Sequence, residues 1–193
     1  MRPPTPSSRV ARRRAAQRER ILSIASRRFA EQGVDHVRLD QVADEADLAR
    51  NTLYSHFGTK DDLVEAIVRP ALEQGLQDLR KLARARPRER IDGTLAVYWR
   101  LWQKHGEALR IAYRLQGFPA GPLVELHGAF AQAVLAALKS AARAGILRVR
   151  DPAIAARLVM RVAIPLLELY TGYDDAERLF VESMRGLLVV DVR

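Results

Sequence analysis

Apolar residues recur along this chain at helical spacing almost throughout, and the first such segment runs from about Ala15 to Gln32. Ile21, Ile24, Ala25 and Phe29 share one face of it. Arg18, Arg20, Arg27 and Arg28 lie largely on the others, and Gly33 stands where a left-handed residue would end the helix. Leu39, Val42, Ala43 and Ala46, at i, i+3, i+4 and i+7, predict a short second helix. A third covers Arg50 to Phe57. In it Leu53 and Phe57 share a face, and Asn51, Thr52, Tyr54, Ser55 and His56 occupy the rest. Only Asp47, Leu48 and Ala49 separate the second helix from the third.

Further along, Thr59 with Asp61 and Asp62 supplies an N-cap hydroxyl and first-turn carboxylates for a fourth helix carrying Leu63, Ile67, Leu72, Leu76 and Leu79. Pro70 removes the backbone donor that would reach Ala66, which predicts a kink there. The basic run from Arg84 to Arg90 reads as a solvated turn, followed by a helix from Ile91. Gly106, Gly117 and the segment Phe118-Pro-Ala-Gly-Pro then divide off helices near Glu107 to Gln116 and Leu123 to Ala144, with Gly145 ending the latter. Asp151-Pro152 is a start signal for a helix to about Tyr170, and Asp174 begins a last one to about Val189. The expected fold class is all-α: an N-terminal three-helix unit with a helix-turn-helix, followed by a longer C-terminal helical region.

The third helix carries the functional reading. Amide, hydroxyl, phenol and imidazole groups on its outer faces would each need a partner if buried, and the edge of a DNA groove supplies such partners. Thr-Leu-Tyr-Ser-His-Phe at 52–57, followed by Gly58, Thr59, Lys60, Asp61, Asp62 and Leu63, resembles the recognition-helix ending of the tetracycline-repressor-like (TetR) family of bacterial transcriptional regulators. Phe29, Gly33, Val42, Ala43 and Ala46 fall where that pattern expects an aromatic, a helix-ending glycine and a packed second helix. The resemblance covers about Arg14 to Val68. Two departures stand in the turn: Asp47 replaces the usual glycine and Ala49 the usual serine, so the left-handed position is tolerable but the side-chain cap is lost. Arg38 stands where a threonine often precedes the second helix, and it is placed to reach a phosphate.

For DNA contact, Arg50, Asn51 and Thr52 are the candidates for base edges, since Arg pairs with guanine and Asn with adenine through two hydrogen bonds each. Tyr54 and His56 are assigned mainly to phosphates, and the resemblance implies the same for Lys60. It further implies a homodimer formed through the last two helices, a palindromic double-stranded operator, a small-molecule effector, and a place in the bacterial cytoplasm at the nucleoid.

Composition sharpens this picture in three ways. The formal net charge of +9 points to a polyanionic partner or an acidic membrane surface. The absence of cysteine removes disulfides and cysteine-bound zinc. No apolar run approaches the ~20 residues of a transmembrane helix, and the N-terminus has no secretory apolar core, so no membrane partner is expected. Residues 1–14 read as a disordered basic arm, with Arg9, Arg12, Arg13 and Arg14 either solvated or in contact with DNA. Residues 15–60 form the DNA-binding domain, and 61–193 the ligand-binding and dimerisation domain with its connecting helix.

In that second domain Tyr98, Trp99 and Trp102, with Tyr113, Phe118 and Phe130 on nearby elements, form either an ordinary aromatic core or the lining of a ligand pocket. Leu158, Val162, Leu166, Leu169, Phe180, Met184 and Leu187 give the last two helices apolar faces that could close an intrachain core or a two-fold four-helix interface. Catalysis has no support at residue level: the four histidines are dispersed, without HExxH, P-loop or GxGxxG, and neither cofactor nor metal is expected. Two competitors remain, a DNA-binding protein without a ligand and a basic helical enzyme or carrier. A packed core around Trp99 and Trp102 would favour the first, and DNA binding that survives loss of the third helix's contacts would favour the second.

Overall fold

A computed structural model describes residues 8–115 and 121–190, and every described segment is helix, turn or loop apart from one isolated bridge. The helices are α1 (Ser8–Gln32), α2 (Leu39–Glu45), α3 (Arg50–His56), α4 (Lys60–Lys81), α5 (Pro87–Arg114), α6 (Pro122–Arg143), α7 (Pro152–Tyr170) and α8 (Ala176–Leu188), with a 3-10 turn at Leu82–Arg84. The chain divides into two compact units, 1–68 and 69–193. The division falls inside α4, eight residues later than the expected end at Lys60, and the first turns of α4 with buried Leu63, Val64 and Val68 cluster with the first unit.

In the first unit α1 packs on α2 and α2 on α3. Ile21, Ala25 and Phe29 of α1 are fully buried, as are Val42 and Ala46 of the second helix region and Leu53 of α3. α1 begins at Ser8, so Arg9, Arg12, Arg13 and Arg14 stand on helical turns where a disordered arm over 1–14 was expected; residues 1–7 lie outside the described residues. Ala11, Ala15 and Ala16 among the arginines make this a good helix-forming stretch once the downstream turns nucleate it. Glu45 at the end of α2 pairs with Arg27 and, at 2.6 Å, with Arg28, which commits those two arginines to the α1–α2 junction.

Asp47 has φ of 56°, alone among non-glycine described residues in the left-handed region. Its short polar side chain makes that conformation affordable where a glycine would be usual. Ala49 is extended at the N-cap of α3 and makes no side-chain cap, so that end relies on its carbonyl, which accepts from Thr52 at 2.8 Å. α4 is better capped: the Thr59 hydroxyl accepts from Asp62 N–H at 3.1 Å, and the Asp62 carboxylate accepts from Thr59 N–H at 2.9 Å.

In the second unit α5, α6, α7 and α8 pack into one bundle. Two boundaries differ from the sequence reading. α5 opens at Pro87 and takes Arg88 and Arg90 into its first turns, because proline suits N1 and Glu89 accepts from Arg86 N–H at 3.1 Å. α5 also continues past Gly106 to Arg114; the interruption is a kink at His105, with φ of −136° and ψ of 32°. α4, by contrast, continues as one helix through Pro70. Asp151 caps α7, accepting from Ala153 N–H at 2.7 Å with Pro152 at N1, as its spacing predicts. Beyond α8, Val190 N–H donates to Ile146 at 3.1 Å and Arg148 N–H to Leu188 at 2.9 Å, which ties the α6–α7 loop to the end of α8.

Candidate functional site

α3 is anchored by its inward residues. Leu53 is fully buried and Phe57, just past the helix, nearly so, while Arg50, Asn51, Tyr54 and Ser55 are exposed and Thr52 and His56 half-buried. The polar faces therefore point away from the first unit's core, as groove insertion requires. Arg50 is held on two sides: its Nε lies 3.0 Å from Asp40 Oδ1 on α2, and its guanidinium carbon sits 5.6 Å from the centre of the Tyr54 ring. Hydrogen bonding with Tyr54 first, and the charge of Asp40 second, hold the guanidinium's pKa above its ordinary value. Arg38, largely exposed, lies 3.5 Å from the other oxygen of the same carboxylate.

The other assigned residues fare differently. His56 has its pKa lowered, first by desolvation and then by Arg14 and Arg18, so at neutral pH it presents a neutral imidazole able to donate one hydrogen bond. Arg14 donates to the Ser55 carbonyl at 3.4 Å, and Arg18 lies 5.0 Å over the Phe57 ring. Both put positive charge at the C-terminal end of α3, where the helix dipole favours it. Lys60 is half-buried and donates to the Val34 carbonyl at 2.9 Å, so part of its ammonium is committed to the α1–α2 loop. Asp40 was not singled out from sequence; it was recoverable as a first-turn acid beside Arg38 and Arg50, but its reach to α3 was not, nor was that of Arg14 and Arg18.

The second unit contains a cavity of about 60 Å³ lined by Leu72, Tyr98, Leu109, Ala112, Tyr113, His127, Phe130, Met160 and Ile164. Three predicted aromatics, Tyr98, Tyr113 and Phe130, line it. Tyr98 and Phe130 meet edge to face, with centroids 5.7 Å apart at 81°. The Tyr98 hydroxyl donates to Met160 Sδ at 3.1 Å, and burial pushes the phenol's pKa up. His127 is the one imidazole on the lining, and desolvation lowers its pKa.

Trp99 and Trp102, which the sequence left between core and pocket lining, do not line this cavity. Trp102 is buried with its indole N–H donating to the Thr171 hydroxyl at 3.2 Å and Arg110 lying 4.9 Å over its ring, so it pins α5 to the end of α7. Trp99, the next residue after Tyr98, points about 100° away round the helix and is half-exposed. Phe118 lies outside the described residues. Met160 and Ile164, i and i+4 on α7, complete the wall; their spacing was visible in the sequence, but α7 was read there for its outer face.

The expected dimer face also needs a correction. Phe180 and Met184 are fully buried within their own chain, because Ala176, Phe180, Met184 and Leu188 form the inward stripe of α8 at four-residue spacing. Leu158, Val162 and Leu166 are half-buried, while Leu169 and Leu187 are exposed, at 64% and 39%. Ile154 is 45% exposed and continues the Leu158–Val162 row toward the start of α7. Among the described residues no group of three metal-ligating side chains gathers, and no helix is long and apolar enough to cross a membrane.

Comparison with known proteins places this arrangement. Residues 21–67 match the family described as bacterial regulatory proteins, tetR family. The HTH-type transcriptional repressor KstR2 of Mycobacterium tuberculosis (strain ATCC 25618 / H37Rv) is 28% identical over 99 residues, covering 50% of this chain and 50% of its own length. The HTH-type transcriptional regulator HbdR of Aromatoleum sp. (strain CIB) is 28% identical over 100 residues, covering 51% of this chain and 44% of its own. The chain thus spans about half the length of the curated relatives it matches. The solved structure of KstR2 from Mycobacterium tuberculosis superposes with a TM-score of 0.74 at 19% identity, covering 91% of this chain and 96% of that one, a likeness of fold. The helix-turn-helix thus matches the tetR family of bacterial regulatory proteins in sequence over residues 21–67, and the likeness along the rest of the chain is one of fold.

Proposed function

We propose that this chain is a homodimeric, sequence-specific transcriptional regulator, a repressor that leaves a palindromic operator when a small, largely apolar ligand binds its second unit. The observation that carries the reading is α3, whose Leu53 is locked in the core while Arg50, Asn51, Tyr54 and Ser55 face outward over a three-residue turn. That geometry lets four polar side chains reach DNA from a rigid base. Arg50 and Asn51 are assigned to base edges with Thr52, and Arg38, Tyr54, His56 and Lys60 mainly to phosphates. A DNA partner places the protein in the bacterial cytoplasm at the nucleoid.

The cavity supports the ligand half of the proposal. Its walls are mainly aliphatic and aromatic, with Tyr113 and His127 among the lining residues and the Tyr98 hydroxyl already turned to Met160. About 60 Å³ holds only a few heavy atoms, well below a drug-sized pocket, so a larger ligand requires the α5 wall beyond the His105 kink to move. A ligand that binds the moved state better shifts the population toward it, with ~1 to 3 kcal/mol of coupling typical of such switches. A structural relative, AibR, has been crystallised with isovaleryl coenzyme A and operator DNA, with a TM-score of 0.70 at 18% identity over 90% of this chain and 98% of that one. For the dimer, the row Ile154, Leu158, Val162 and Leu169 with Leu187 of α8 offers a second copy an apolar seam.

The test is recovery of duplex fragments from sheared genomic DNA by the purified full chain, followed by sequencing. Fragments sharing an inverted repeat with half-sites about one helical turn apart are the expected result. Equal retention of all fragments, without a shared motif, would overturn the proposal.

A further inference from the structure

We propose that Asp40 is the positioning residue that presets Arg50 for base readout and keeps it from spending its charge on phosphates; this rests on the DNA-binding reading above. Three observations converge. Asp40 Oδ1 stands 3.0 Å from Arg50 Nε, across the turn between α2 and α3. The Tyr54 ring lies under the same guanidinium, at 5.6 Å. Oδ1 is nevertheless buried without a directed hydrogen bond among the described residues.

A buried carboxylate oxygen without a hydrogen bond is costly, and a carboxylate beside a DNA-reading face repels the polyanion it serves. An exposed ion pair returns little stability, so fold maintenance does not account for the arrangement. Readout does. Arg carries a flexible stem whose ordering opposes binding, and a guanidinium anchored through Nε and beside Tyr54 is preset to present its terminal nitrogens to guanine O6 and N7. The tyrosine ring beside it further restricts the stem. Away from its cognate base pair the same arginine stays paired with Asp40, and the carboxylate disfavours every sequence where Arg50 could reach only a phosphate. Specificity then gains at the expense of affinity, the pattern of a built-in repulsive element.

The experiment enriches a double-stranded DNA library with a randomised core on the full chain, in wild-type form and as Asp40→Asn, Arg50→Ala and the double variant. Binding to one scrambled duplex is measured alongside. Wild type yields a motif, and Arg50→Ala flattens one base-pair position per half-site. Asp40→Asn is expected to weaken preference at that same position by about tenfold, the order of one bidentate contact, and to bind the scrambled duplex several-fold more tightly. In the double variant the loss at that position equals that of Arg50→Ala alone. Full preference retained by Asp40→Asn, or preference lost equally at all positions as a merely structural role would give, overturns the inference. So does an Arg50→Ala profile with no flattened position. A wild-type chain that enriches no motif instead overturns the DNA-binding reading itself.

Discussion

Gly75 on α4 should be the glycine least tolerant of a methyl group, and Gly75→Ala tests how tightly the second unit is packed around its cavity. A Cβ built there lies 2.6 Å from Phe130 Cε2 and 2.7 Å from Leu101 Cδ1. Carbon atoms at rest sit about 3.5 to 4.0 Å apart, so both side chains must withdraw by roughly 1 Å. Alanine is favoured over glycine in a helix interior by about 1 kcal/mol. Overpacking a filled site costs about 1 to 3 kcal/mol, and two clashes on different neighbours argue for the upper half of that range. The net expectation is a loss of about 1 to 2 kcal/mol, read as a lower urea midpoint at unchanged slope. Phe130 also lines the cavity and rests edge to face on Tyr98, so its withdrawal redraws the pocket wall. Placing Phe130→Leu in both backgrounds isolates that contact, and Gly75→Ala should cost less where the ring is gone. A Gly75→Ala protein that is stabilised by about 1 kcal/mol, or that loses the same amount with and without Phe130, would refute the packing argument.

Two further outcomes are expected. Ala49→Ser restores a side-chain acceptor at an N-cap that is already extended and uncapped, and should raise stability by about 1 kcal/mol in thermal unfolding; a neutral or negative effect would mean the turn cannot present the hydroxyl. His56, His105 and His127 all have pKa values held below the ordinary imidazole value of 6.5, with burial as the leading cause in each. The unfolded chain then binds protons more readily than the folded one. Their contribution is whole above about pH 6.5 and is lost as pH falls through that value toward the depressed folded pKa values, so the urea midpoint at about pH 5.5 should lie below that at about pH 7.5, and less so in His127→Asn.

The first unit was the more legible in sequence because α2 and α3 are short and separated by a turn whose residue types constrain its backbone, and α4 opens on a side-chain cap. Asp47 was readable as a left-handed residue and Thr59 with Asp62 as a start signal, since both depend on neighbours within a few positions. Arg27 and Arg28 were not readable as partners of Glu45, nor Asp40 as the partner of Arg50, because those pairs form only when separate helices meet. The N-terminal arginines read as an arm because proline and serine precede them, while the alanines between them let α1 extend back to Ser8.

By itself the sequence determined that this protein is helical, where most of its helices begin and end to within a few residues, and that a polar-faced helix follows a tight turn; local propensity, capping and apolar spacing carry all three, but not the early start of α1 or the continuity of α5 through Gly106. Only the tertiary structure decided how each apolar face is used. Periodicity shows that a face is buried but not against what, so it left Trp102 between core and pocket lining, and Phe180 and Met184 between their own core and a dimer face; packing turns Trp102 to Thr171 and puts Phe180 and Met184 inside their own chain. The same limit applies to charge: spacing puts Arg50 on the reading face, and only packing sets Asp40 beside it.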